Sequence, residues 1–219
     1  MGAIAQRQFA QPLEIRRTHP HYENWRPHLY GPAFYETTYI GHTYQLGSLV
    51  KGTGGDWSGF NLRVIKDSGG TDELTVKANQ PHAIAQYENV LIWFGAEAPE
   101  LDLPDAAIAT LDDVTFVACD QTWIAIHRFG SGFTLELGEP QTDGNFTNFK
   151  QNVLARSHLT IQGDRITYQS HNGKTVAISA DFPINNTPFA TELPQVWRDG
   201  IPYDWTTHHQ PVEFLIHSP

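Results

Sequence analysis

The chain has 219 residues, a net charge of −10 and one cysteine, and 17% of its residues are charged while 12% are aromatic. This composition excludes a disordered chain and an internal disulfide framework, and the length suits a single all-β domain. Because the acidic charge is spread along the chain with no basic stripe, we expect neither nucleic acid nor an anionic membrane surface as a partner.

The first predicted element is an extended arm over residues 1–35. Its second half, residues 18–35, combines proline, glycine and many aromatic residues, which predicts an ordered segment packed on the domain. Residues 36–219 are assigned to one β-sandwich domain. Residues 1–9 contain no continuous apolar stretch, so the sequence predicts neither a signal peptide nor a membrane span. The localisation therefore stays open.

Short apolar or alternating runs follow the arm and are predicted as strands at residues 37–40, 44–50, 59–66, 74–77 and 88–94. The last of these runs is the most apolar, which is typical of a central strand buried on both faces. Residues 96–113 are rich in proline and aspartate and are predicted as a surface excursion. Cys119 then ends an apolar run and is expected to be a small buried side chain.

A β-hairpin is predicted next, because the runs 123–128 and 133–137 are separated by Gly130-Ser131-Gly132. The second run alternates apolar and polar residues. The alternation predicts a half-buried strand whose residues Phe133, Leu135 and Leu137 face the core. By the same pattern, Thr134 and Glu136 are expected to face water.

One helix is predicted over residues 146–156, where apolar residues recur three and four positions apart after a possible N-cap at Asn145. Further hairpins are predicted around Gly163 and at Asn172-Gly173, a dipeptide that favours tight turns. The predicted fold is therefore an all-β, antiparallel, jelly-roll-like sandwich with one short α-helix.

Three segments, residues 39–49, 86–92 and 132–150, carry a resemblance to a known family. Their strand and turn pattern resembles the C-terminal β-sandwich of bacterial heparinase-like, polysaccharide-degrading proteins, over roughly residues 35–180. In that family an α/α toroid precedes the sandwich and supplies most of the catalytic tyrosine, histidine and arginine side chains. The resemblance implies an extracytoplasmic carbohydrate-active protein, but it assigns no catalytic residue in this chain.

The arm holds the best candidates for chemistry, since residues 17–30 contain three histidines, two tyrosines and two arginines. A lyase that acts by β-elimination needs a base, a proton donor for the leaving oxygen and a cation for the uronate carboxylate. The candidate catalytic residues are His19, His21, Tyr22, Arg26 and Tyr30.

Two other interpretations of the arm remain open. His19 and His21 point to the same side of an extended chain and could bind a metal together with His28 or Glu23. Alternatively, the arm only packs across the sheet and its histidines are surface groups. The packing interpretation is the one we expect, with no metal or other cofactor.

Four tryptophans lie in segments predicted as loops or turns, where an aromatic ring can stack on the apolar face of a sugar. These candidate ligand-binding residues are Trp25, Trp57, Trp197 and Trp205. The favoured hypothesis is a non-catalytic β-sandwich module that binds a polysaccharide or oligosaccharide, or that supports the cleft of a polysaccharide lyase. The alternatives are a stand-alone lyase that uses the arm cluster on an acidic polysaccharide, and a structural or assembly protein. The sequence does not predict the oligomeric state.

Overall fold

The computed structural model describes residues 11–19, 32–52, 58–78, 82–96, 98–102, 107–179 and 193–209. Within these ranges the chain forms sixteen β-strands in three antiparallel sheets, with two α-helices and one 3-10 helix. The predicted all-β, antiparallel, sandwich-like fold is therefore confirmed.

The front sheet is a five-stranded meander in which consecutive strands are neighbours. Its strands are β1 Leu13–His19, β2 Phe34–Ile40, β3 Tyr44–Lys51, β4 Ser58–Ile65 and β5 Thr71–Ala78. β1 lies in the segment predicted as an arm, but it pairs along its whole length with β2. Residues 13–19 are therefore the last strand of the sheet on this side, and a short bridge joins the free side of β1 to His209.

The central sheet has six strands in the order β6-β7-β11-β10-β9-β8. Its strands are β6 His82–Tyr87, β7 Val90–Gly95, β8 Ala107–Leu111, β9 Val114–Cys119, β10 Thr122–Phe129 and β11 Gly132–Gly138. The predicted hairpin at residues 123–137 is β10 and β11, paired from Trp123 opposite Gly138 to Phe129 opposite Gly132. β8 falls inside the predicted surface excursion and forms one edge of the sheet.

The back sheet is a second meander, of five shorter strands. Its strands are β12 His158–Gln162, β13 Arg165–Gln169, β14 Thr175–Ser179, β15 Val196–Arg198 and β16 Ile201–Pro202. The helices are α1 Pro140–Asp143, α2 Phe146–Arg156 and the 3-10 helix Trp205–Thr207. α2 has the predicted bounds, and the Asn145 side chain caps it by accepting a hydrogen bond from the Asn148 amide at 2.9 Å.

The three sheets stack with the central sheet in the middle. One face of the central sheet packs on the front sheet, through residues such as Leu135 and Phe60. Its other face packs partly on the back sheet, where Ile92 meets Ile178, and partly on α2, where Trp123 meets Phe149. The central sheet is therefore covered on both faces, whereas no element within the described ranges packs on the outer face of the front sheet.

The stacking corrects the prediction that Thr134 and Glu136 face water. Both residues have 0% exposure, because β11 lies in the interior of the central sheet and α2 and the back sheet cover that face. The alternation along β11 is real, but it separates two buried interfaces. One is the apolar interface with the front sheet, and in the other Glu136 accepts hydrogen bonds from Tyr168 and Ser157. Phe133, Leu135 and Leu137 are buried as predicted.

Candidate functional site

The outer face of the front sheet contains a groove of about 390 Å³. The floor of the groove is formed where two glycines, Gly47 on β3 and Gly59 on β4, leave no side chain on the outer face. A Cβ atom on Gly47 would lie 3.5 Å from the Thr38 hydroxyl, in ordinary contact, whereas a Cβ atom on Gly59 would overlap the Val76 carbonyl oxygen. Gly59 is thus required by the backbone of the sheet, and Gly47 is dispensable for the fold.

One wall of the groove is built around Glu36 on β2. Its carboxylate accepts a hydrogen bond from the Thr38 hydroxyl at 2.6 Å and lies 2.7 Å from Nε2 of His19. Burial raises the pKa of Glu36, but these two contacts and the charges of His19 and Arg17 outweigh it, so the pKa is lowered. Glu36 is therefore held ionised and in a fixed orientation.

The opposite wall is built around Glu73 on β5. Its carboxylate accepts hydrogen bonds from the Thr75 hydroxyl at 2.8 Å and from the Asn61 amide at 2.5 Å, and Nε of Arg63 lies 3.2 Å away. Hydrogen bonding by Thr75, then by Asn61, lowers the pKa of this exposed carboxyl. These contacts join β4 and β5 in a connected polar surface.

The open face has a charge opposite to that of the whole chain. Residues opposite each other in an antiparallel pair share a face, so the strand register places Arg17, Glu36, Leu49, Gly59 and Lys77 in one row across the sheet. Among the described residues, this face holds four cationic side chains and two carboxylates: Arg17, Lys51, Arg63 and Lys77, against Glu36 and Glu73. These described residues give the face an excess of two positive charges, on a chain whose net charge is −10.

Of the five candidate catalytic residues, His19 is the one that lies in the described part of the chain. It is at the end of β1, its side chain is 38% exposed, and it contacts Glu36 on the groove wall. His21, Tyr22, Arg26 and Tyr30 lie outside the described residues. The same holds for Glu23 and His28, the other ligands of the metal interpretation.

Trp197 and Trp205 do not line the groove. Trp197 belongs to strand β15, where the guanidinium of Arg165 lies 4.2 Å from its ring centroid. Trp205 is half-buried in the 3-10 helix, packs edge-on against Tyr35 and Tyr203, and donates its indole N–H to the Pro194 carbonyl. The contacts of Trp205 are those of a packing residue. Trp25 and Trp57 lie outside the described residues.

A second polar cluster, which we call the clasp, lies in the interior and was not predicted from the sequence. It consists of Glu136, Glu139, Asp143 and His171. Nδ1 of His171 lies 2.5 Å from Oε1 of Glu136, and Nε2 lies 2.6 Å from Oδ1 of Asp143. Burial lowers the pKa of His171, but the two carboxylates outweigh it and raise the pKa to about 9. His171 is thus an imidazolium at neutral pH.

The described residues contain no three His, Cys, Asp or Glu side chains placed to share a metal ion. Over the same ranges, no helix is long and apolar enough to cross a membrane. No protein-family model matches the chain, and no curated protein or solved structure is significantly similar to it.

Proposed function

We propose that this chain is a glycan-binding β-sandwich module of a carbohydrate-active protein, and that the groove of the front sheet is its binding site. The observation that carries the proposal is a polar groove on the outer face of the front sheet, which no element in the described ranges covers. Its volume of about 390 Å³ falls within the range of ligand sites in proteins. The lack of side chains at Gly47 and Gly59 leaves room for a flat, hydroxyl-rich sugar ring.

The walls of the groove offer hydrogen-bonding groups that are already oriented. An ionised carboxylate has about four acceptor positions, and Glu36 uses two of them for Thr38 and His19. The remaining positions can accept hydrogen bonds from sugar hydroxyls without a change in the side chain. Because the orientation is fixed in the free protein, little conformational entropy is lost on binding.

The charge of the open face favours an acidic glycan over a neutral one. Arg17 and Lys77 lie at opposite ends of one row across the five strands, so cations bracket the groove. A uronate or sulfate group on the ligand would meet these cations, and the field of the face would attract it. The affinity should consequently fall as salt concentration rises.

The first test is the substitution Gly47→Tyr. A side chain at this position projects from the floor into the groove, and tyrosine also suits a strand better than glycine does. We expect the variant to fold normally and to bind a uronate-containing oligosaccharide at least roughly tenfold more weakly than the wild type, a difference of about 1.4 kcal/mol. Isothermal titration calorimetry measures the affinity.

Thr71→Tyr is the matched control, because Thr71 is exposed on the same face of β5 and does not line the groove. Its affinity should equal that of the wild type. If neither acidic nor neutral oligosaccharides bind to the wild type, or if Gly47→Tyr binds as well as Thr71→Tyr, the groove is not the binding site.

A second candidate function is β-elimination by this chain alone, and the contact between His19 and Glu36 favours it. Glu36 holds the imidazole of His19 next to the groove, as an orienting carboxylate does for a catalytic base. Wild-type protein incubated with uronate polysaccharides would then produce the absorbance of an unsaturated uronate, and His19→Ala would not. Binding without any new absorbance would leave the binding module as the function.

A further inference from the structure

The clasp connects all three sheets at one short segment. Glu136 belongs to β11 of the central sheet, and Glu139 and Asp143 follow it at the start and end of α1. The Glu139 carboxylate accepts hydrogen bonds from the backbone amides of His42 and Thr43, in the β2–β3 turn of the front sheet. Glu136 and Asp143 hold His171 in the β13–β14 turn of the back sheet.

We propose that the clasp is a charge-dependent latch, in which loss of one proton from His171 releases the β13–β14 hairpin from the central sheet while the rest of the domain stays folded. The proton leaves to solvent, and no other bond is made or broken. The latch involves none of the residues that line the proposed glycan site.

The geometry explains why one proton matters. An imidazolium carries an N–H on each ring nitrogen, so Nδ1 donates a hydrogen bond to Glu136 and Nε2 forms an ion pair with Asp143. A neutral imidazole carries only one N–H, so its other nitrogen would present a lone pair to a buried carboxylate. A buried charge that loses its partner is costly, because little water reaches it.

The other groups around His171 do not replace the missing donor. Glu136 accepts further hydrogen bonds from the Tyr168 and Ser157 hydroxyls and from the His171 amide. The Tyr168 hydroxyl is also 2.9 Å from His127, and the ring of Phe149 on α2 lies edge-on to the His171 ring. No cation other than His171 contacts Glu136 or Asp143 in the described part of the chain.

Asp143 is the carboxylate that depends most on the imidazole. Its other oxygen accepts hydrogen bonds from the Thr142 hydroxyl at 2.6 Å and from the Glu139 amide at 3.1 Å. Among the described residues, the oxygen that faces His171 has no hydrogen-bond donor, and its ion pair with Nε2 of His171 at 2.6 Å is the contact that compensates its charge. Burial raises the pKa of Asp143, but the contact with His171, the Thr142 hydroxyl, the charge of His171 and the Glu139 amide outweigh it, so the pKa is lowered.

The direction of the pH effect follows from the raised pKa of His171. The stabilisation of the closed hairpin by protonated His171 is complete below 6.5, the ordinary pKa of histidine. It is lost as the pH rises to about 9. Between these values, opening of the hairpin should increase by about tenfold for each pH unit, and it should level off above them. Such local opening can occur well below the free energy of global unfolding.

Hydrogen exchange measured by mass spectrometry tests the latch, with rates corrected for the intrinsic pH dependence of exchange. Between about pH 7 and about pH 9, we expect protection of residues 165–179 to fall roughly a hundredfold, while β3 of the front sheet keeps its protection. Equal loss of protection in both segments, or no loss in either, overturns the proposal.

Three variants assign the effect to the clasp. His171→Gln should expose the hairpin at every pH and remove the pH dependence, whereas His158→Gln, an exposed histidine on β12, should behave as the wild type. Asp143→Asn keeps the shape of the side chain and removes one carboxylate, so protection of residues 165–179 should fall less steeply with pH. This variant tests the proposal even if His171→Gln fails to fold. A wild-type slope in Asp143→Asn overturns the proposal.

Discussion

Replacing Glu136 by alanine is expected to lower the free energy of unfolding by about 3–5 kcal/mol, the range for breaking a buried ion pair. The side chain has 0% exposure and accepts hydrogen bonds from Tyr168, Ser157 and His171. Its loss leaves a buried imidazolium and two hydroxyl groups without their acceptor. Urea denaturation followed by tryptophan fluorescence measures the change.

Glu100→Ala is the control for this substitution, because Glu100 is exposed and its loss should change stability by no more than about 0.5 kcal/mol. Glu136→Gln keeps the volume of the side chain but removes the charge, so it separates packing from electrostatics. A denaturation midpoint for Glu136→Ala equal to that of Glu100→Ala would show that the clasp does not stabilise the fold.

Arg198→Ala is expected to lower the free energy of unfolding by about 3 kcal/mol or more, because it also breaks a buried ion pair. Arg198 lies in β15 and is 8% exposed. It contacts Glu14 of β1 at 2.6 Å and the Gln86 carbonyl of β6 at 2.5 Å, and its guanidinium lies 4.2 Å from the Tyr203 ring centroid. The side chain therefore joins back, front and central sheets, and its removal leaves the half-buried Glu14 carboxylate with less compensation.

The matched control is Arg63→Ala, which breaks the exposed pair of Arg63 and Glu73 at 3.2 Å. Exposed pairs contribute about 0–1 kcal/mol, so this variant should be nearly as stable as the wild type. Equal losses in the two arginine variants would contradict the three-layer arrangement, since burial is what distinguishes them.

Local pattern was enough to predict most of the secondary structure. The helix over residues 146–156 follows from apolar spacing and the Asn145 cap, both of which act within a few residues. The β10–β11 hairpin follows from two short runs and a glycine turn. In each case the interactions that determine the element lie inside it, so a single sequence carries the signal.

The groove could not be predicted, because its residues come together only through strand register. Glu36 and Asn61 are far apart in the chain and reach one surface through the pairing of β2, β3 and β4. The glycine Gly47 has no distinctive neighbours in the sequence. Residue chemistry favoured four tryptophans as ligand-binding residues. Trp197 and Trp205 do not line the groove, and their role in ligand binding stays a prediction.

The clasp was missed for a different reason. Period-two alternation shows which residues share a face of a strand, but it does not show what covers that face. Glu136 was predicted to face water because a polar face usually does, and here the second face is covered by α2 and the back sheet. His171 is more than thirty positions away from Glu136, so no local signal joins them.

The most direct test of the proposed function is a nuclear magnetic resonance titration of the isotope-labelled chain with a uronate-containing oligosaccharide. If the groove binds the glycan, the largest amide shift changes will occur at Thr38, Gly47, Asn61 and their neighbours on β2 to β5. In Gly47→Tyr, the same changes will require at least roughly tenfold more ligand. An absence of shift changes at high ligand concentration, or changes confined to Trp197 and the back sheet, would contradict the proposal.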